Sequence, residues 1–156
     1  MMMEMPKPTE AHKKLATLVG QWTGQEQMHP SPWDPKGGTA TGRSDNRMAL
    51  DGFALLHDYV QERNGAVSFT GHGVLTFDPQ EKCYLMHWWD SMGFPANVFK
   101  GGFEGSTLTM TRPEAQGQSR AVWEFQDGKS YRFRMEFSPD GNQWHPFMEG
   151  TYARAH

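Results

Sequence analysis

From Gly20 onward the chain alternates apolar and polar residues with a period of two, and turn signals interrupt it about every dozen residues. No other feature constrains the fold as tightly. The cleanest run is Lys129 to Ser138, with Tyr131, Phe133, Met135 and Phe137 set against Arg132, Arg134 and Glu136. Similar alternation predicts strands over 20–29, 39–50, 53–63, 66–77, 82–90, 96–103, 107–112, 119–125 and 144–154. Asp51-Gly52, Asn64-Gly65 and Asp127-Gly128 supply the positive φ that tight hairpins need. Asp78-Pro79, Glu104-Gly105 and Pro139-Asp140-Gly141 mark further reversals. Short connections make neighbours antiparallel, because parallel pairing needs crossover helices and none is visible. About ten twisted strands in one sheet tend to close, which removes their edges. The expected fold is therefore all-β, a single antiparallel up-and-down β-barrel of about ten strands.

One segment reads as helix. Thr9 is the expected N-cap, Glu10 suits the first turn, and Ala11, Leu15, Leu18 and Val19 form one apolar stripe before Gly20. A helix of about ten residues is not stable alone and must dock on the barrel. The expected organisation is a disordered tail over 1–8 and one barrel domain over 9–156, within the size that a single core supports. One connection differs from the others. His29 to Gly38 holds three Pro and two Gly and carries Trp33, and it is either a surface excursion over the barrel end or a lid.

The net charge of −3, with mixed signs along the chain, argues against nucleic acid as a partner. No apolar run approaches the roughly 20 residues of a membrane span, so no membrane partner is expected. The single Cys83 excludes an intramolecular disulfide framework and a multi-Cys metal site. The start has no apolar stretch after its charges, and with one cysteine this points to a cytoplasmic protein.

Leu18-Val19-Gly20-Gln21-Trp22-Thr23-Gly24 resembles the opening of calycin-type barrels, such as lipocalins, fatty-acid-binding proteins and nitrobindins. The resemblance implies that Trp22 plugs one barrel end and that Arg154, in the last strand, stacks on it. The chain is more similar still to an uncharacterised bacterial family, number fifteen seventy-nine among the domains of unknown function. That match rests on residues 18–24, on Gly71 to Pro79, on Tyr84 to Met92 and on Trp144 to Arg154. It implies a calycin-like barrel and carries no established activity. Nitrobindins bind haem through a His that follows a Pro in the last strand. Here Pro146 is followed by Phe147 and preceded by His145, and a one-residue shift moves a side chain to the opposite face. No haem or other cofactor is expected.

The candidate chemistry is sparse. His57, His72 and His87 could meet on neighbouring strands, but no H-x-H or H-E-x-x-H spacing is present and no metal is expected. If Phe77 pairs with Lys82, His72 faces His87; if it pairs with Cys83, His72 faces Trp88. Asp90 ends a strand and is either an acid–base group or a turn aspartate bonded to the backbone near Ser91 and Gly93. Trp22, Trp88, Trp123, Tyr131 and Phe133 are core or cavity lining. A barrel of about ten strands often encloses ligand space. The expected ligand pocket comprises Trp22, His57, His72, Trp88, Asp90, Tyr131 and Phe133, and its guest is a small apolar or amphipathic molecule. A small enzyme using Asp90 or a His in the barrel mouth is the alternative. So is a filled barrel acting as an interaction module, with a homodimer as one form of partner.

Overall fold

The computed structural model describes residues 3–32 and 34–155. A helix, α1 (Glu10–Lys14), runs directly into a 3₁₀ turn at Leu15–Leu18. Ten strands follow among the described residues. They are β1 (Gly20–Met28), β2 (Gly38–Ala49), β3 (Ala54–Arg63), β4 (Ala66–Asp78), β5 (Cys83–Asp90), β6 (Asn97–Glu104), β7 (Thr107–Glu114), β8 (Gly117–Gln126), β9 (Ser130–Ser138) and β10 (His145–Arg154). Each pairs antiparallel with its sequence neighbours, and β10 returns to β1 to close the barrel. All ten expected strands form, and only their ends differ. The turns follow the chemistry of their residues. Asn64 and Gly65 have φ of 54° and 79°, and Asp127 and Gly128 have φ of 47° and 71°, as type I′ hairpins require.

Three local features depart from the sequence expectation. The single ten-residue helix is instead one short α segment and one 3₁₀ turn. The orphan carbonyl of Leu18 then accepts from Trp22 Nε1 at 3.0 Å and Asn46 Nδ2 at 2.9 Å, so the helix end is satisfied by the barrel beneath it. In β4 the pairing slips between Gln61↔Phe69 and Glu62↔Val67, which leaves Ser68 as a bulge and turns Val67 out to 61% exposure. The β4–β5 turn is longer than either weighed register, because the Asp78 carboxylate caps the N–H groups of Gln80 and Glu81. Phe77 therefore pairs with Tyr84, and His72 stands opposite Trp89 rather than His87 or Trp88.

The core sits at the end of the barrel where α1 packs, here the base. Leu15, Leu55, Leu75 and Leu108 are fully buried there, and Trp22 is 1% exposed. The Arg154 guanidinium lies 4.3 Å over the Trp22 ring while its Nη1 donates to Val19 O at 2.8 Å and its Nε to Gly128 O at 2.7 Å. One side chain thus joins the last strand to the segment before the first. The substitution Trp22→Ala is expected to cost about 3–5 kcal/mol of stability through the cavity it leaves. Arg154→Ala is expected to cost about 1–2 kcal/mol through lost stacking and charge-assisted hydrogen bonds. Urea unfolding followed by tryptophan fluorescence measures both.

Candidate functional site

Above the base, inward positions turn polar. Ser44, Asn46, His57, Tyr59, Tyr131 and Tyr152 are all buried, and Glu26 is 1% exposed. Such groups must find partners or carry a large desolvation cost. Asn46 solves this first. Its Nδ2 donates to Leu18 O, so its Oδ1 faces His57 Nδ1 at 2.5 Å and must accept. That assigns the His57 proton to Nδ1 and leaves Nε2 with a lone pair and no hydrogen-bond partner among the described residues. Burial pulls His57 down from its ordinary 6.5 to about 4, so the imidazole is neutral at neutral pH.

Glu26 reaches across β2 because Gly42 has no side chain. A Cβ there would stand 2.3 Å from Glu26 Oε2. The carboxylate accepts from Tyr59 OH at 2.7 and 2.8 Å, from Gln61 Nε2 at 3.1 Å, and from Tyr152 OH. None of the ion pairs among the described residues involves it. Burial first, and then the charge of Glu26, hold Tyr59 and Tyr152 protonated far above the ordinary phenol range. Burial does the same for Tyr131.

Beside this network lies a cavity of about 30 Å³ lined by Ser44, His57, Tyr59, Trp123, Tyr131, Phe133 and Tyr152. It has room for one water-sized group. Of the residues expected to line a pocket, His57, Tyr131 and Phe133 do so. Trp22 lies beneath them, its ring edge-on to Tyr131 at 4.8 Å. Trp88 neighbours the cavity, 5.9 Å from His57 and 6.4 Å from Tyr59 between ring centroids. It lies over Gly71, where a Cβ would come within 2.1 Å of the indole. Asp90 is held at the opposite end, the rim, by Trp88 Nε1 at 2.8 Å and the Met92 N–H at 3.0 Å, so its bonds are those of a turn aspartate. His72 is not in the interior. It pairs with Asp58, its register partner on the outer face, Nδ1 to Oδ1 at 2.6 Å, while the preceding residue of β3, His57, turns inward opposite Gly73. The hydrogen bond from His72, followed by its charge and Arg47, holds the Asp58 carboxyl below its ordinary range. Trp33, the candidate lid residue, lies outside the described residues.

Glu26, Tyr59 and Tyr152 were not singled out from the sequence. The available signal was a charged residue at an inward position of the Trp22 face, together with glycines at 24, 42 and 150 that clear space for it and for Tyr152. A larger concavity of about 330 Å³ lies across β10, lined by Gln25 and Gln27 of β1 and Arg132 and Arg134 of β9 and, at the side-chain-free Gly150, by its register partners Glu26 and Phe133. The interior does not fit haem. A pocket of that class needs on the order of 300 Å³ or more. The unpartnered His57 Nε2 faces about 30 Å³, and His145 stands exposed at the rim, separated from the rest of β10 by a bulge at Phe147. That bulge also means that the two faces of β10 cannot be counted as an unbroken alternation. Among the described residues no group of three or more His, Cys, Asp or Glu could hold a metal ion, and no helix is long and apolar enough to cross a membrane.

The family model described as protein of unknown function (DUF1579) matches residues 7–154, and the chain belongs to that family. In structure the chain is similar to Rv2717c from M. tuberculosis, with 12% identity, 95% of this chain and 99% of that one covered, and a TM-score of 0.71. It is also similar to the S-type phycobiliprotein lyase CPES from Guillardia theta, with 11% identity, 92% of each chain covered, and a TM-score of 0.59. At these identities the likeness is one of fold. No curated protein matches the chain in sequence.

The site has a pH signature. Between about 4 and 6.5 the unfolded chain binds a proton at His57 that the folded chain refuses. Stability from this group is complete above its unfolded value and falls as pH drops towards 4, by up to about 1.4 kcal/mol per pH unit. His57→Gln removes that dependence. Urea unfolding from about pH 7 to about pH 5 should show a steeper loss in the wild type than in H57Q, and parallel profiles overturn the assignment.

Proposed function

We propose that this member of the DUF1579 family is a binding barrel that takes a small amphipathic molecule into the rim side of its interior. The observation that carries it is the lining of the internal cavity. Aromatic walls converge there with an unpartnered imidazole nitrogen and phenolic oxygens, the mix of apolar surface and few polar groups that small-molecule sites use. The cavity itself holds only a head group. The remainder of a guest is accommodated by the wall above it. Met28, Met148 and Met135 are consecutive register partners across β1, β10 and β9, and Ala121 and Met110 continue the row onto β8 and β7. Methionine has three rotatable bonds and no branching, so such a wall can repack around a guest. The barrel is closed at the base by Trp22 and the helix, so entry is from the rim or from its flank.

A second copy of this chain is the other partner that the surface supports. Val67, Trp89, Met92, Phe94 and Val98 are exposed on or beside β4, β5 and β6. A two-fold pairing of that face would give an isologous interface. Native mass spectrometry of freshly purified protein tests both proposals. A discrete adduct that is lost on denaturation is expected for the binding barrel, and a doubled mass for the dimer. A bare monomer mass, with no thermal stabilisation by added amphiphiles, would overturn them.

A further inference from the structure

We propose that Arg63, on the inner rim of the barrel, is a seat for the carboxylate of an acidic guest, and that Asp34 of the β1–β2 connection holds this seat until the guest displaces it. The inference rests on the binding-barrel proposal and names the chemistry of the guest's outer end. The strand pattern puts the guanidinium inside. Glu62 pairs with Arg43 on the outer face at 2.6 Å, so Arg63, the next residue of β3, turns inward. Gln61, two residues back on the same face, donates to Met28 Sδ at 3.7 Å, where the methionine row begins. Tyr59, which lines the cavity, and Arg63 share one face of β3 and stand about 13 Å apart along it, roughly the length of an extended ten-carbon chain.

The bonding of Arg63 selects the ligand. One buried donor among the described residues is left without a partner, and it is the Nε of Arg63. An unmet buried donor is unfavourable, and native structures leave few of them. Nε and Nη2 lie along one edge of the planar guanidinium, spaced to match the two oxygens of a carboxylate. Asp34 fills half of that edge. Its Oδ2 accepts from Nη2 at 2.8 Å, and the Nε beside it stays unmet. The backbone of Asp34 is tied to its own loop, since Asp34 and Ser31 exchange N–H to O bonds of 2.9 and 3.1 Å and the Asp34 N–H also donates to Ser31 Oγ at 3.1 Å. A carboxylate free of that tether can turn both oxygens to the edge and gains the bond that Asp34 forgoes. An alcohol brings one neutral acceptor to the same edge, and an ammonium group brings none. The exchange trades one carboxylate for another, so the charge of Arg63 stays paired while the β1–β2 connection is released from β3.

The test uses the full chain and two probes, 10-hydroxydecanoate and 1,10-decanediol, titrated by isothermal calorimetry near neutral pH. Both offer a hydroxyl to the cavity and differ only at the other end. The acid is expected to bind about tenfold more tightly than the diol. Arg63→Gln is expected to bring the acid to within about twofold of the diol. Asp34→Asn removes the competing charge and keeps the shape. It is expected to tighten the acid by about fivefold or more and to leave the diol within about twofold. A merely structural role for Asp34 predicts the opposite, no change or a weaker acid, and that result overturns the proposal. So does a diol that binds as tightly as the acid, or a D34N variant that tightens both probes alike; each of these leaves the binding barrel standing. Failure of both probes to bind wild type and D34N overturns the binding barrel itself. If R63Q does not fold, the response of the two probes to D34N decides alone.

Discussion

A ten-stranded sheet becomes a barrel only if its last strand finds its first, and here that seam is anchored on Trp22. The indole sits on β1, donates to the carbonyl that ends the helical segment, and carries the guanidinium of β10 on its face. One aromatic residue therefore couples the helix to the base, the base to the closing strand, and the closing strand to the β8–β9 turn through the Gly128 carbonyl. Each contact satisfies a backbone group that the closure would otherwise strand. This is why the short helix, which could not survive alone, belongs to the barrel rather than decorating it.

Closure at the base has a consequence higher up. A barrel of this width cannot fill its whole interior with aliphatic side chains, and this one fills the middle with hydroxyls, an imidazole and a carboxylate. Burying those groups is unfavourable unless each is bonded. The chain goes far towards this: Asn46 links the helix end to His57, and Glu26 collects three donors at once. Among the described residues, what is left over is the Nε2 of His57 beside the small cavity and the buried Nε of Arg63. A residue of unmet bonding next to a void carries more information than the void's volume.

The fold was legible because its signals are local. Alternation, Asn-Gly and Asp-Gly turns and short connections each act within a few residues, and together they yield ten strands in simple order. Tyr131, Phe133 and His57 were legible for the same reason, since each lies in an unbroken stretch of alternation. The site as a whole was not, because it depends on parity carried across several strands. The bulge at Ser68 turned Val67 out, the capped loop after Asp78 set a register outside both alternatives, and the bulge at Phe147 broke the count in β10. His72 was misplaced by that same lack of cross-strand phase. Glu26 was missed for a different reason. Alternation puts Glu26 on the Trp22 face, but only Gly42, on the neighbouring strand, shows that its carboxylate has room inside.

The structural relatives sharpen this distinction. Chains about one-eighth identical match this one in structure over nearly all their length, so what they have in common is the fold. That much is compatible with many inner faces, and function follows the inner face rather than the wall. In this chain the inner face has two unlike halves. The base half is aliphatic, tightly packed and joined to the seam, so its residues are constrained by stability. The rim half holds the neutral imidazole, the phenols around Glu26 and the methionine row, and these contribute less to closure than to polarity and plasticity. A side chain changed in the first half alters whether the barrel stands. One changed in the second alters the polarity and the bonding of the interior.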